Sequence, residues 1–298
     1  MAHLHPHLIF TGLSGAGKST TITRLLDTPL LLPALEGQQC TGTVIELEHS
    51  GIFKKQFSFS VKNWTQSEFN ILCQQAHEAG KTPWLARVLS IKNWNASHAG
   101  PITCDMLDPE DNQFLQTPNV WHVTFLDSLE QVQQFLRHYG SYPPDRGPST
   151  EKSLAPLVCR IRIDGDFARL PKNITLVDCP CLSLWNYRQL MTMMVGRFIW
   201  VAPAGDFVTA DFPQEGITVM TRAGEFTRRW DLIDGVFDAW EQNKSAHGEL
   251  FLIENEPAGC LKKYYLMNEL DRLREELWGK SAEEGEVSVP FEKLAIKN

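Results

Sequence analysis

The chain has 298 residues, of which 43% are hydrophobic and 21% charged, and its formal net charge is −8. This length and composition fit one large α/β domain or two small ones with an ordinary hydrophobic core. The negative charge argues against a nucleic-acid partner, because neutralising phosphates requires clustered Lys and Arg. It also argues against a basic face for anionic membranes, so we expect no direct membrane binding.

The seven cysteines lack regular spacing, a pattern typical of free thiols in a reducing compartment. No apolar run approaches the roughly 18 residues that a membrane span needs. The first residues also lack the apolar region of a secretory signal. These features together predict a cytoplasmic protein.

The first predicted elements are a short apolar strand at residues 8–11, a glycine-rich turn, and a helix over residues 19–26. Residues 43–48 alternate between apolar and polar side chains, as a half-buried strand does. A Ser-Gly turn follows, and apolar residues between 53 and 61 suggest a return strand. The pattern therefore predicts an antiparallel hairpin.

The middle of the chain has a different character, and we predict an insert over residues 64–150. Residues 66–80 and 129–139 have helical patterns, with a polar stretch containing Asn and Pro between them. Residues 142–150 read as an exposed loop rich in turn residues.

Strands and helices alternate in the last third of the chain. Strands are predicted at 158–163, 174–177, 198–202, 217–220 and 250–253, and helices at 232–242 and 264–278. Such alternation predicts a mainly parallel sheet with helices on both faces. We expect a single domain over residues 1–298, ending in a flexible tail at 279–298.

Residues 12–19 read Gly-Leu-Ser-Gly-Ala-Gly-Lys-Ser and match the phosphate-loop pattern Gly-x-x-x-x-Gly-Lys-Ser in full. Its glycines let backbone N–H groups curl around phosphate oxygens, and the next helix presents its positive end to them. The pattern lies between a predicted strand and a predicted helix, as it should. The phosphate-binding residues predicted from it are Gly12, Leu13, Ser14, Gly15, Ala16, Gly17, Lys18, Ser19 and Thr20.

Four segments occur in an order that resembles dynamin-like large GTPases, over roughly residues 8–265. They are Cys-Thr-Gly-Thr-Val-Ile-Glu-Leu at 40–47, the segment 159–180 that ends in Asp-Cys-Pro, the segment 198–224 that ends in Thr-Arg-Ala-Gly, and Gly-Glu-Leu-Phe-Leu-Ile-Glu-Asn at 248–255. The second is the most specific, because it leads into a variant of Asp-x-Pro-Gly. The resemblance implies a three-layer α/β P-loop NTPase domain of the GTPase-like kind, with one antiparallel hairpin and a helical insert.

The same resemblance implies roles for individual residues. Lys18 would reach the β- and γ-phosphates, Thr41 would close over the γ-phosphate, and Ser14 would assist hydrolysis. Mg²⁺ would be held by Ser19, Thr41 and Asp178, all of which offer the hard oxygen atoms that this ion prefers. The base would be contacted by Thr221, Arg222 and Asn255.

Several positions depart from the dynamin pattern. Cys181 stands where the family has the glycine of Asp-x-Pro-Gly, which flexes between states. Gly224 replaces the guanine-reading aspartate and Arg222 the lysine beside it, so the expected preference for guanine rests on the resemblance. Gly15 and Ser14 occupy positions where dynamins carry a serine and a glutamine, respectively, that help position the attacking water and a charge-compensating ion. We therefore expect slow hydrolysis.

The expected ligand is GTP with Mg²⁺, and ATP is the alternative. The resemblance is also compatible with a homodimer across the nucleotide face. Two other hypotheses stay open. One is a degenerate nucleotide-binding regulatory module without useful turnover. The other is a P-loop small-molecule kinase, because residues 11–20 resemble the loop of adenylylsulfate kinases and the insert could hold a second substrate.

Overall fold

The computed structural model describes residues 6–28, 32, 41–51, 56–92, 94, 100–116, 120–142, 152–181, 195–203, 217–221, 249–252 and 263–278. The predicted helix at 232–242, the predicted tail and the base-reading candidates Arg222 and Asn255 lie outside these residues, as does Gly224, which replaces the guanine-reading aspartate of the dynamin pattern. The domain boundaries stay a prediction.

The described elements follow the predicted order closely. The strands are β1 (His7–Thr11), β2 (Val44–His49), β3 (Phe57–Asn63), β4 (Trp121–Leu126), β5 (Val158–Gly165), β6 (Thr175–Asp178), β7 (Arg197–Pro203), β8 (Ile217–Thr221) and β9 (Glu249–Leu252). The α-helices are α1 (Lys18–Leu25), α2 (Gln66–Glu78), α3 (Thr82–Val88), α4 (Pro109–Leu115), α5 (Leu129–Tyr139) and α6 (Lys263–Trp278).

The nine described strands form one mixed sheet in the order β4-β3-β5-β2-β6-β1-β7-β8-β9. The parallel pairs are β1 with β6 and with β7, β2 with β5, β7 with β8, and β8 with β9. Antiparallel pairing is limited to β2 with β6 and to β3 with β4 and with β5. The prediction of a mainly parallel sheet is confirmed.

Alternation along the strands directs side chains into two hydrophobic cores, one on each face of the sheet. One core joins Leu8, Phe10, Ile45, Leu47 and Leu176 to Ile22 and Leu25 of α1, Val132 and Leu136 of α5, and Leu273 and Leu277 of α6. The other joins Ile9, Val44 and Val177 to Phe69 and Leu72 of α2 and Leu85 of α3. Helices therefore cover both faces, which gives the three layers that we predicted.

Local signals in the sequence explain where the helices of the insert begin. Thr65 caps α2 through a reciprocal capping box with Glu68, in which each side chain bonds the other residue's backbone N–H. Ser128 caps α5 by accepting a hydrogen bond from the N–H of Gln131. The insert is more than helical, however, because it also supplies β4 at the edge of the sheet.

The predicted hairpin is wrong in one respect. β2 and β3 both form, but β5 lies between them and pairs with each. The buried charge of Glu46 accounts for the position of β5 beside β2. Glu46 of β2 is fully buried, and its carboxylate lies 3.1 Å from Nη1 of Arg160 and 3.2 Å from Nη2 of Arg162. Only a strand that carries these arginines can neutralise that carboxylate away from water.

Sequence reasoning also missed α3, α4 and β4, and it described Tyr142 as part of an exposed loop. Tyr142 is buried, with 3% of its surface exposed. β4 reads Trp-His-Val-Thr-Phe-Leu and alternates as a strand should, but it follows a stretch whose Asn and Pro residues favour loops. Tertiary packing against β3 overrides that local signal.

Helix α6 packs on the sheet and also holds α1 in place. Its Arg274 side chain donates hydrogen bonds to the carbonyls of Leu25, at 3.1 Å, and Arg24, at 2.7 Å. Both carbonyls belong to the last turn of α1, where intrahelical donors run out, and that of Arg24 also accepts a hydrogen bond from the N–H of Asp27 at 3.1 Å. Among the described helices, none is long and apolar enough to cross a membrane.

The buried ion pair of Glu46 gives a first prediction. Glu46→Gln should lower the free energy of unfolding by about 2 kcal/mol, because the buried charge that faces Arg160 and Arg162 is removed, although Arg162 keeps its contact with Glu48 at 3.5 Å. Asp27→Asn is the matched control, since Asp27 forms a largely exposed pair with Arg169 at 3.6 Å. Urea unfolding should show a change below about 0.5 kcal/mol for that control. Equal effects of the two substitutions would contradict this account of β5.

A second prediction concerns Asp164 of β5, which lies in register with Glu48 of β2. Burial, followed by the charge and hydrogen bonding of Glu48, raises the pKa of Asp164 to about 6, against the opposing effect of Arg162. Because this pKa is higher in the folded state than the roughly 3.9 of an unfolded chain, the proton's stabilisation is complete below about pH 4. It disappears as the pH rises through 6.

Asp164→Asn removes the charge and should stabilise the protein at pH 7.5 by about 1 kcal/mol, a figure reduced because the side chain is only half-buried. The gain should shrink towards zero near pH 4. Urea unfolding of both proteins across this range measures the difference. A gain that does not depend on pH would refute the assignment.

Candidate nucleotide-binding site

The loop between β1 and α1 has a conformation that requires its glycines. Gly12 has φ 148°, and a Cβ atom there would overlap the carbonyl oxygen of Val201 on β7. Gly17 has φ 88° and forms the N-cap of α1. Both values lie in the left-handed region, which favours glycine. The backbone therefore curls at the carboxyl end of β1, as the phosphate-loop pattern predicts.

Lys18 points back into this loop. Its Nζ donates hydrogen bonds to the carbonyl of Gly12, at 3.1 Å, and to that of Leu13, at 2.9 Å. The residue is only 7% exposed. A buried ammonium group is costly unless it has oxygen partners, and here loop carbonyls provide them. The positive charge is thus held within the loop that would bind phosphate.

Three residues far apart in sequence meet beside the loop. Ser19 Oγ donates to Asp178 Oδ2 at 2.7 Å, and Thr41 Oγ1 donates to the same oxygen at 3.2 Å. The two hydroxyl oxygens lie 3.4 Å apart. Ser19 lies on α1, Thr41 in the segment before β2, and Asp178 at the end of β6. These are the three residues predicted from the resemblance to bind Mg²⁺.

Sheet topology explains why these residues meet. β1 and β6 are parallel neighbours, with Phe10 in register with Asp178, so their carboxyl ends share one edge of the sheet. β2 runs antiparallel to β6, which brings its amino end, and Thr41 just before it, to that same edge. Ligands of open α/β sheets bind at this edge.

The carboxyl group of Asp178 is fully buried. Burial raises its pKa, against the opposing effects of the Lys18 charge and of hydrogen bonds from Ser19 and Thr41. Its second oxygen, Oδ1, has no hydrogen-bond partner among the residues that the structure describes. A buried carboxylate oxygen without a donor is costly, and a bound cation would satisfy it. The oxygen donors present therefore fit Mg²⁺.

The remaining loop positions divide into an anchored base and an exposed tip. Thr221, at the end of β8, donates a hydrogen bond of 2.6 Å to the carbonyl of Ala16 and so ties the loop to the sheet. Leu13 is 37% exposed and Ser14 is also exposed. Gly15, Ser19 and Thr20 are half-buried.

Cys181, the departure from Asp-x-Pro-Gly, lies in a small apolar cluster. It is 3% exposed and packs with Val88, Tyr142 and Ala155. Packing of this kind restrains the backbone at the position where the dynamin pattern has a flexible glycine.

Sequence reasoning missed a second set of contacts around Thr41. Thr41 forms an isolated antiparallel bridge with Ser141, and the N–H of Gly42 donates to the carbonyl of Gly140 at 2.8 Å. The ring of Tyr142 lies against Gly42. The available signal was an aromatic residue at the start of a Pro-rich segment, but such a segment usually indicates an exposed loop.

No protein-family model and no curated protein sequence matches the chain. Its fold nevertheless resembles solved structures of an oligomerised bacterial dynamin pair, which is described as sensing and tethering membranes over a long range. One superposes with a TM-score of 0.55 and 14% identity, covering 95% of this chain and 40% of the other. A second gives the same score and identity with 96% and 39% coverage.

The chain thus spans well under half the length of the dynamin chains that it resembles. At 14% identity the likeness concerns the fold and leaves activity to be argued from the site. Together with the sheet topology, it shows that this chain has a dynamin-like α/β fold.

Proposed function

We propose that this protein binds GTP with Mg²⁺ and hydrolyses it slowly. The observation that carries the proposal is the meeting of Ser19, Thr41 and Asp178 next to a glycine-rich loop that encloses the amine of Lys18. A loop, an ammonium group and three oxygen donors are what a magnesium triphosphate needs from a protein.

Lys18 would exchange its contacts with the Gly12 and Leu13 carbonyls for oxygens of the β- and γ-phosphates. Those carbonyls now accept hydrogen bonds of 3.1 and 2.9 Å, so phosphate would replace partners of similar number and distance. Backbone N–H groups of residues 13–19 and the positive end of α1 would complete the cradle.

Mg²⁺ would be held by Ser19 and Thr41, with Asp178 contributing through a water molecule. When bound, the ion supplies positive charge that offsets the charge of the phosphates. Asp178 now accepts hydrogen bonds from both hydroxyl groups. It would keep the two side chains oriented, so the protein already holds its donor oxygens close together.

Hydrolysis would proceed by attack of water on the γ-phosphorus. The bond to the β–γ bridging oxygen breaks, and GDP and inorganic phosphate form. The water needs an orienting side chain, and Gly15 offers none, while Ser14 offers one hydroxyl. The packed Cys181 also limits rearrangement next to the γ-phosphate site. Both features support slow turnover.

The preference for GTP over ATP rests on the dynamin-like fold, since Thr221 is committed to the loop carbonyl of Ala16. Recognition of the base would fall to residues near Arg222 and Asn255. A homodimer across the nucleotide face is part of the proposal, supported by the exposed tip at Leu13 and Ser14. Cytoplasmic location and independence from nucleic acid and membranes stay predictions.

One observation favours a second candidate function, a nucleotide-binding module that signals by occupancy without useful turnover. The apolar packing of Cys181 against Val88, Tyr142 and Ala155 restrains the segment that moves in a switching GTPase. The loop and the three oxygen donors would still bind the nucleotide. Rates of turnover separate the two candidates.

Titration with fluorescent GTP and ATP analogues, with Mg²⁺ and with EDTA, tests ligand binding. We expect binding that Mg²⁺ strengthens and that prefers GTP. Lys18→Ala should weaken it by about 100-fold, because a charge-assisted contact with phosphate is lost inside a low-dielectric loop. Lys81→Ala is the matched control, since Lys81 is an exposed lysine outside the site.

Full affinity in Lys18→Ala would overturn every nucleotide-binding hypothesis for this chain. A preference for ATP would instead contradict the proposed guanine specificity and favour the kinase or the regulatory module.

A separate measurement of phosphate release under saturating GTP tests the proposed slow turnover. We expect a rate well below about 1 per second, near the low end of typical enzyme turnover. Restoring glycine by Cys181→Gly should raise this rate, because the backbone next to the γ-phosphate site regains its freedom. A wild-type rate of 1 per second or more would refute the role given to Gly15 and Cys181.

A further inference from the structure

The segment of residues 140–142 contacts the stretch that carries Thr41. Thr41 and Ser141 form an antiparallel bridge, and Gly42 N–H donates to the carbonyl of Gly140 at 2.8 Å. Thr41 belongs to the site, whereas residues 140–142 follow α5 near the end of the insert. A direct backbone connection therefore joins the site to the insert.

The ring of Tyr142 closes over this connection. A Cβ atom added to Gly42 would lie 2.9 Å from the ring, so the ring occupies the space that any other residue at position 42 would need. Tyr142 is itself held by Trp84 of α3, whose ring lies edge-on with centroids 4.9 Å apart. Close aromatic packing of this kind resists displacement.

Ser153 fixes the segment from its other side. Its Oγ donates to the carbonyl of Ser141 at 2.6 Å, and its backbone N–H donates to the carbonyl of Val88 at 3.1 Å. Ser141 Oγ in turn donates to Leu136, in the last turn of α5, at 3.1 Å. Helices α3 and α5 are thereby linked to the segment of residues 140–142 that pairs with Thr41.

Tyr142 also belongs to the cluster that contains Cys181. The two segments that flank the predicted γ-phosphate position, one bearing Thr41 and the other Cys181, thus share one aromatic partner from the insert. A shift of either segment would have to move this ring or leave a cavity.

We infer that residues 140–142 form a positioning segment that holds Thr41 towards Ser19 and Asp178, with Tyr142 as its principal positioning residue. The insert thereby determines how well the site binds Mg²⁺ together with nucleotide. This inference rests on the proposed function and specifies which part of the chain regulates that site.

The test compares nucleotide affinity in EDTA and in Mg²⁺ for each variant. The ratio is the dissociation constant in EDTA divided by that in Mg²⁺, and it measures how much the ion contributes to binding. Thr41→Val defines the loss expected when the hydroxyl is absent. Tyr142→Ala and Gly42→Ala should each lower the ratio by about fivefold, which corresponds to the net contribution of one hydrogen bond. The affinity in EDTA should change by less than about twofold. Tyr142→Phe keeps the ring and should restore the ratio.

Tyr139→Ala is the matched control for loss of packing. Tyr139 packs against Phe59 and Phe135 and takes no part in the cluster of Tyr142 and Cys181. It should lower thermal stability without changing the ratio. Should Tyr142→Ala fail to fold, Ser153→Ala decides. It removes the 2.6 Å hydrogen bond to the Ser141 carbonyl, together with the 3.5 Å bond to the His138 carbonyl and the 3.2 Å bond from the Ala155 N–H, and it should lower the ratio by about twofold.

Two results would overturn the inference while nucleotide binding stands. In one, Thr41→Val lowers the ratio but Gly42→Ala, Tyr142→Ala and Ser153→Ala leave it at the wild-type value. In the other, Thr41→Val itself has no effect. Failure of the proposed function looks different, because the wild-type protein would then show no nucleotide affinity that Mg²⁺ strengthens.

Discussion

The candidate site depends on one buried carboxylate. Asp178 is removed from water at the end of β6, and it is tolerable there because Ser19 and Thr41 donate to one of its oxygens and the Lys18 charge lies near. A buried charge without such partners would cost several kcal/mol, so the two segments that supply them are constrained to meet the end of β6. The arrangement of the phosphate loop, the stretch before β2 and the end of β6 follows from this constraint.

The strand arrangement of the sheet brings Asp178 together with its hydrogen-bond partners. Parallel β1 and β6 deliver the loop and Asp178 to one edge, and antiparallel β2 delivers Thr41 to that edge from the opposite direction. The place of β2 depends in turn on a second buried carboxylate, Glu46, whose arginine partners lie on β5. Two buried acidic residues thus find their partners across the strands and segments that bring the candidate site together.

The insert has a larger part in this arrangement than its composition suggests. Its residues supply most of the buried members of one hydrophobic core, its strand β4 extends the sheet, and residues 140–142 near its end contact the segment of Thr41. The dynamin-like fold therefore carries, between β3 and β5, an insert that contacts the segment bearing Thr41. Under the proposed function, a local change at the site would reach the insert, because closely packed interfaces shift as units.

Much of this could be read from the amino-acid sequence alone. The phosphate-loop pattern at residues 12–19 is contiguous, so its backbone conformation and charge are local properties of the sequence. Several strands could also be predicted from the alternation of apolar and polar residues. The position of β5 between β2 and β3, the burial of Tyr142 and its contact with Gly42 were decided only by the tertiary structure. The physical reason is that each depends on pairing between residues about 100 positions apart, such as Glu46 with Arg162 and Thr41 with Ser141, and distant pairing leaves no periodic trace in the chain.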